Sequence, residues 1–249
     1  MAPHHRVRLE FAMPKRKDTN QQKDGKALPA ILFDLDGTLV DSTYQHMTAW
    51  HDTLDEDGVE IPNARIHRLI GMSGKLLLHA LFSEIGQKLS EKRIEQFEKI
   101  HKRKFARMIP SVRLLPGARQ LLRHLSSANV RWAIGTSGDR KTIEKMIKPL
   151  HVPAAVPVVC GDDVARAKPD PDVFLEAASQ LGVALSDCVV IGDSVWDLLS
   201  ARRAKALGVG LLSGGYGQAE LERAGAYRVY KDPEELLEHI SEIGIPPAK

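Results

Sequence analysis

The sequence predicts an α/β protein, with a parallel sheet covered by helices on both faces and a helical cap inserted after the first strand. Three observations lead there. Short apolar runs rich in β-branched residues alternate with segments whose apolar residues recur three and four apart. One long interval breaks that rhythm and carries helical patterns alone. Unusual polar residues follow the apolar runs at their carboxyl ends, the edge where open parallel sheets bind ligands.

The apolar runs are Ala30–Phe33, Val130–Gly135, Val156–Cys160, Cys188–Gly192, Gly208–Leu212 and Tyr227–Tyr230. Helical spacing falls between and after them, at Gly117–Ser126, Asp139–Lys148, Pro171–Leu181, Trp196–Ala206, Ala219–Ala224 and Pro233–Ile243. Continuous apolar strands of this kind are buried on both faces, which makes the core a doubly wound, Rossmann-like sheet. From about Thr43 to Ile109 the strand signal is missing, and amphipathic segments occupy Gln45–Glu56, Ala64–Ile70, Lys75–Ile85 and Glu91–Met108. The expected organisation is a basic disordered tail over 1–28, a catalytic core over 29–43 and 111–249, and an α-helical cap over 44–110.

Composition narrows the function classes. The 249 residues are 43% hydrophobic, enough for a packed interior, and no apolar stretch is long enough to span a bilayer. A net charge of +3 is too small to indicate nucleic acid. Cys160 and Cys188 fall in apolar runs and read as reduced packing residues, which favours a cytoplasmic setting. The tail is basic (Arg6, Arg8, Lys15, Arg16, Lys17) and lacks the apolar stretch of a secretory signal. A monomer with a mobile lid is the expected state.

The chemistry begins at Asp34-Leu35-Asp36-Gly37-Thr38, directly after the first apolar run. Two carboxylates one residue apart at the end of a buried strand are costly unless a cation meets them. In extended chain both point the same way. Thr136 and Ser137 end the second run, Lys168 lies in the loop after the third, and Asp193 and Asp197 follow the fourth. All are expected to collect on one edge. Three mutually repelling carboxylates call for a hard divalent cation with oxygen ligands, Mg²⁺. Such a cation leaves Asp34 ionised and nucleophilic and screens an incoming phosphate. Lys168 adds a fixed positive charge, and the Thr136 hydroxyl can hold phosphoryl oxygens. Asp36 can protonate the leaving oxygen and then deprotonate the attacking water.

The four groups, in this order and spacing, resemble the haloacid dehalogenase superfamily of phosphohydrolases. Asp34-Leu-Asp36-Gly-Thr38-Leu-Val-Asp41-Ser42 followed by a helical cap resembles its phosphoglycolate phosphatase and β-phosphoglucomutase branch. The match covers roughly residues 30–240. The resemblance implies a nucleophile at Asp34, and a general acid/base at Asp36 whose backbone carbonyl also binds the metal. It implies metal binding at Asp193, with Asp197 in or beside that shell, and phosphate contacts from Thr136, Ser137 and Lys168. It further implies a four-helix cap that closes over a small phosphorylated metabolite.

Each motif alone has an ordinary explanation: acidic pairs cap helices, Thr-Ser pairs are N-caps, and Lys168-Pro169-Asp170-Pro171 is a rigid turn. Their joint occurrence is what carries the reading. Asp162 and Asp163 read as solvated loop carboxylates. His46 and Trp50, four apart on one helix face, read equally as a packing pair or as lining of a cap–core cleft. Gly214-Gly215-Tyr216-Gly217 resembles a recurrent loop of the branch. The run from Lys92 to Arg107 reads as an exposed charged face, with room for one cation to reach an anionic substrate. The expected activity is hydrolysis of a phosphate monoester, phosphoglycolate or a sugar phosphate. The alternatives are a sugar phosphomutase and a non-enzymatic phosphometabolite-binding module. The mutase branch carries an arginine just after the loop resembling Gly71-Met72-Ser73, where this chain has Gly74 and Lys75. An intact set of charged groups disfavours the binding module.

Overall fold

The computed structural model of the protein describes residues 28–248. The basic tail expected over 1–28 lies outside the described residues but for Leu28. The elements run β1 (Ala30–Phe33), β2 (Val40–Asp41), α1 (Thr43–Asp55), α2 (Asn63–His67), α3 (Gly74–Glu84), α4 (Glu91–Met108) and β3 (Arg113–Leu114). They continue with α5 (Ala118–Ser127), β4 (Trp132–Gly135), α6 (Arg140–Ile147), β5 (Val158–Val159), α7 (Asp172–Gln180), β6 (Cys188–Gly192), α8 (Val195–Arg203), β7 (Leu207–Leu211), α9 (Gln218–Ala224), β8 (Ala226–Tyr230) and α10 (Pro233–Glu238).

Six strands form one parallel sheet in the order β5-β4-β1-β6-β7-β8. The central strand β1 shows why the sheet needs helices on both sides. Its residues alternate between faces: Ile31 and Phe33 join the core beneath α5 and α6, while Ala30 and Leu32 join the core beneath α7. Its register sets Phe33 opposite Ile134 of β4 and Ile191 of β6. Full burial of each large side chain here contributes about 1.5–3 kcal/mol. The expected doubly wound α/β core is therefore present. Strand β5 is shorter than the apolar run Val156–Cys160 predicted, and Cys160 sits just past its end.

Local signals start the helices. Gly117 opens α5 at φ +72°, and a Cβ there would fall 2.4 Å from the Cα of Glu234, so only glycine lets α5 meet α10. Asp139 caps α6 by accepting from the Thr142 amide at 3.2 Å. Ser194 and Asp197 form a capping box at the start of α8.

Helices α1 to α4 carry a separate apolar cluster that includes Trp50, Leu54, Leu77, Leu81, Phe82 and Phe97. The chain leaves the sheet through β2 and returns through β3, which pair antiparallel with Val40 opposite Leu114. Two-residue strands carry no sequence period, so this small clasp was not predictable. Its effect is to hold the entry and exit of the helical insertion side by side.

The insertion also touches the sheet edge. The Arg68 carbonyl accepts from the Trp196 indole at 3.1 Å and the Tyr216 hydroxyl at 2.7 Å. His67 Nε2 donates to the Gly214 carbonyl at 2.8 Å. Ser137 donates to the Gly71 carbonyl at 3.2 Å. Both cysteines are buried and unpaired, and burial pushes the Cys188 thiol up to about 11. Among the described residues no helix is long and apolar enough to cross a membrane.

Candidate active site

Asp34 is the first residue beyond β1, and its amide donates to the Ile191 carbonyl at 2.9 Å, which extends the sheet register by one step. Its carboxylate points inward and is nearly fully buried. After Asp34 the strand does not continue. Thr38 and Leu39 amides both return to the Leu35 carbonyl, and Gly37 turns at φ +76°. The expectation that Asp34 and Asp36 project alike from an extended chain is corrected by this turn.

Asp34, Asp193 and Asp197 each offer a carboxylate oxygen, and these atoms lie within 4.8 Å of one another. Lys168 reaches the group from the loop after β5, with Nζ 2.5 Å from Asp34 Oδ1 and 2.8 Å from Asp197 Oδ1. Burial pushes the Asp34 carboxyl up to about 7, against the opposing pull of Lys168. Asp193 is raised well above the ordinary range, first by burial and then by the charges of Asp197 and Asp34. Burial disfavours the charge on Lys168, but Asp197 and Asp34 outweigh it and hold the ammonium above its usual value. With all three carboxylates ionised, the one ammonium would leave two negative charges unmatched in a buried place, and this is why Asp34 and Asp193 hold on to protons.

Backbone bareness makes room for Asp193. A Cβ on Gly214 would fall 1.8 Å from Asp193 Oδ2, and one on Gly37 2.3 Å away. The Thr38 hydroxyl donates to Asp193 Oδ1 at 2.8 Å and orients the carboxylate. Asp197 differs. Its Oδ1 takes Lys168, and its Oδ2 takes the Ser194 amide at 3.1 Å and hydroxyl at 2.6 Å. Both oxygens accept hydrogen bonds, so Asp197 orients Lys168 and the α8 start while it stays within the acidic group.

Asp36 is held apart from the three. Its Oδ1 accepts from the Ser42 hydroxyl at 2.5 Å and from His46 Nε2 at 3.2 Å. Burial opposes its charge, but His46, Ser42 and Lys168 more than offset this and hold the carboxyl below its usual range. His46 in turn stacks on Phe105 with centroids 3.6 Å apart, and its Nδ1 lies 3.3 Å from His101 Nε2. His101 stacks on Trp50, and burial, with lesser contributions from His46 and Lys102, holds its imidazole neutral.

These groups adjoin a cavity of about 640 Å³ between the insertion and the sheet edge. Asp34, Asp36, Thr136, Ser137 and Lys168 line it, while Asp193 and Asp197 stand beside Asp34 and Lys168. The Thr136 hydroxyl accepts from the Gly138 amide at 3.1 Å, and the loop after β4 thus curls around the cavity floor. The structure therefore brings all seven candidate residues to one place. His46 and Trp50 both line the cavity, so the cleft and packing readings are both met. Asp162 and Asp163 are exposed and serve Arg140, as a solvated loop would.

Sequence reasoning gave no role to Ser42, His101 or Gly214. His101 carried a signal, since Phe97, His101 and Phe105 share the apolar face of α4 at a spacing of four.

A fold with ligand groups at the carboxyl edge of a parallel sheet, and buried carboxylates matched by one lysine, defines a class of phosphoryl-handling enzymes. The chain belongs to the haloacid dehalogenase-like hydrolases, whose family model matches residues 28–205. It is 35% identical to hexitol phosphatase A of Escherichia coli over 176 residues, which span 70% of this chain and 78% of that protein. It is 28% identical to the β-phosphoglucomutase of Bacillus subtilis over 200 residues, 78% of this chain and 86% of that one. The structure of a hydrolase from Pseudomonas syringae is similar at a TM-score of 0.84 and 47% identity, covering 86% of this chain and 99% of that chain. The acidic cluster is thus that of an enzyme of the phosphatase and phosphomutase kind.

Proposed function

We propose that the protein is an Mg²⁺-dependent phosphatase that hydrolyses a small phosphate monoester, phosphoglycolate or a sugar phosphate, through a phosphorylated Asp34. The observation that carries the proposal is the buried group of Asp34, Asp193 and Asp197, which Lys168 alone cannot neutralise once all three ionise. Hard oxygen donors with that charge suit a divalent cation. In this reading the Asp34 and Asp193 carboxylates and the Asp36 main-chain carbonyl hold Mg²⁺, with Asp197 beside them. Bound there, the cation would neutralise the carboxylates and polarise the phosphate.

The chain's own residues do the rest. Asp34 attacks phosphorus, the ester P–O bond breaks, and the leaving oxygen takes a proton from Asp36. A water, deprotonated by Asp36, then attacks the acyl phosphate and frees Asp34 and inorganic phosphate. Thr136, Ser137 and Lys168 hold phosphoryl oxygens during both steps. Asp36 is a carboxylate at rest, ready for the second step; an incoming phosphate, as a like charge, raises its proton affinity for the first. Residues 44–110 act as the lid that excludes water. The reading includes a cytoplasmic monomer without nucleic-acid partners.

The test is hydrolysis of an aryl phosphate with Mg²⁺. Asp34→Asn is expected to lose at least about a thousandfold in kcat, Asp36→Asn to lose turnover while still binding substrate, and EDTA to silence the wild type. Equal turnover by Asp34→Asn and wild type would remove Asp34 as nucleophile. The phosphomutase reading draws support from the Bacillus subtilis relative. It predicts isomerised sugar phosphate, where the hydrolase predicts free phosphate.

A further inference from the structure

The cavity wall opposite Asp34 is built by the insertion, and its charge is unlike that of a site for a second anion. We propose that Glu98 of α4 is a specificity-determining residue, selecting a phosphate monoester whose far end carries hydroxyl groups and rejecting one that ends in a second phosphate or a carboxylate. The proposal rests on the phosphatase reading and deepens it, taking the sugar phosphate of that reading over phosphoglycolate, whose far end is a carboxylate.

Glu98 lines the cavity and is half-buried. Its carboxylate faces the start of α3, beside Gly74. It sits there because residue 74 is glycine. A Cβ on Gly74 would lie 2.8 Å from Glu98 Oε1 and 3.0 Å from Trp50 Cζ2. A side chain there, an arginine included, would press on both and displace the Glu98 carboxylate from this position. Gly74 and Glu98 are therefore a matched pair that puts a carboxylate beside an aromatic edge. A carboxylate accepts hydrogen bonds from hydroxyls and repels anions, and an indole packs against C–H groups; together they suit a polyol.

The nearby cations do not reverse that preference. Lys75 pairs with Glu91 at 2.7 Å. Arg166 pairs with Asp172 at 3.1 Å. Lys102, one turn along α4, is exposed at the rim, and its attraction fails to cancel the effect of burial on Glu98. On the sheet side of the cavity Asp139 and Asp162 add further negative charge, while Asp170 is paired with Arg203 at 3.2 Å.

The experiment compares kcat/KM for glycerol 3-phosphate and 3-phosphoglycerate, two esters of equal length with a hydroxyl or a carboxylate at the far end. Wild type, Glu98→Gln and Glu98→Lys are each assayed on both, and the ratio within one preparation cancels differences in folded fraction. The wild type is expected to favour glycerol 3-phosphate by about tenfold or more. Glu98→Gln should shrink that ratio and Glu98→Lys should invert it, with the change carried by KM. A ratio that is the same in all three proteins, or a wild type that prefers the carboxylate ester, overturns the assignment of Glu98. Aryl phosphate assayed alongside separates the two failures. A wild type inert toward aryl phosphate as well brings down the phosphatase reading, and the selectivity with it.

Discussion

Lys168 Nζ lies 2.5 Å from Asp34 Oδ1, and both side chains are almost wholly withdrawn from solvent. The contact restrains the carboxylate that the proposed chemistry uses, and it supplies the single positive charge among three negative ones. Lys168→Met is therefore expected to cost at least about 3 kcal/mol of stability in EDTA, because breaking one side of a buried pair strands the other. Denaturant unfolding with and without Mg²⁺ checks this. The deficit should narrow when Mg²⁺ is added, and an unchanged deficit would deny the cation any part in balancing those carboxylates.

The pH dependence of stability follows from the same burial. Asp34 has a folded pKa of about 7 against 3.8 for the free side chain. A raised carboxylate binds its proton more tightly in the folded state, so stability is full below the unfolded value and is lost as pH climbs through the folded one. Asp193 is displaced in the same direction. The metal-free protein should thus unfold more easily at pH 8 than at pH 5, by about 3 kcal/mol from Asp34. Added Mg²⁺, which favours the ionised form, should flatten the curve. Thermal unfolding across that range in EDTA is the check.

His46 holds the proton affinity of Asp36 down, since its Nε2 is 3.2 Å from the carboxylate. In His46→Gln the Asp36 pKa should rise. The alkaline limb of the kcat profile on an alkyl phosphate, which needs protonated Asp36, should then move up by about one pH unit. A nitrophenyl ester needs less help from an acid and should shift less. Identical limbs in variant and wild type would detach His46 from Asp36.

Much of this site was legible because one rule places it. Asp34, Thr136, Lys168 and Asp193 each follow a strand of one parallel sheet, so parallel order alone gathers them on its carboxyl edge. The strands themselves were visible as continuous apolar runs, and β5 was overextended because Val156 and Cys160 flank it with the same composition. The turn at Gly37 was foreseeable as a turn, but not that it separates Asp36 from the other carboxylates. What could not be read depends on contacts between distant segments. The Arg68 carbonyl meets Trp196 and Tyr216, and the Gly71 carbonyl meets Ser137, through backbone atoms that leave no mark on residue identity. Asp197 belongs to the acidic group by spacing, and its hydrogen bonds to Lys168 and Ser194, which spacing does not reveal, give it an orienting role as well.

The central claim is that Asp34, Asp193 and Asp197 together create a place for one divalent cation. Titrating Mg²⁺ into the substrate-free protein while following its unfolding temperature tests this without any knowledge of substrate. The wild type should be stabilised progressively as the ion saturates, in the logarithmic manner of a ligand bound only by the folded state, and Asp193→Asn should respond little over the same range. Wild type and Asp193→Asn curves that rise together, or a wild type that stays flat, would contradict it.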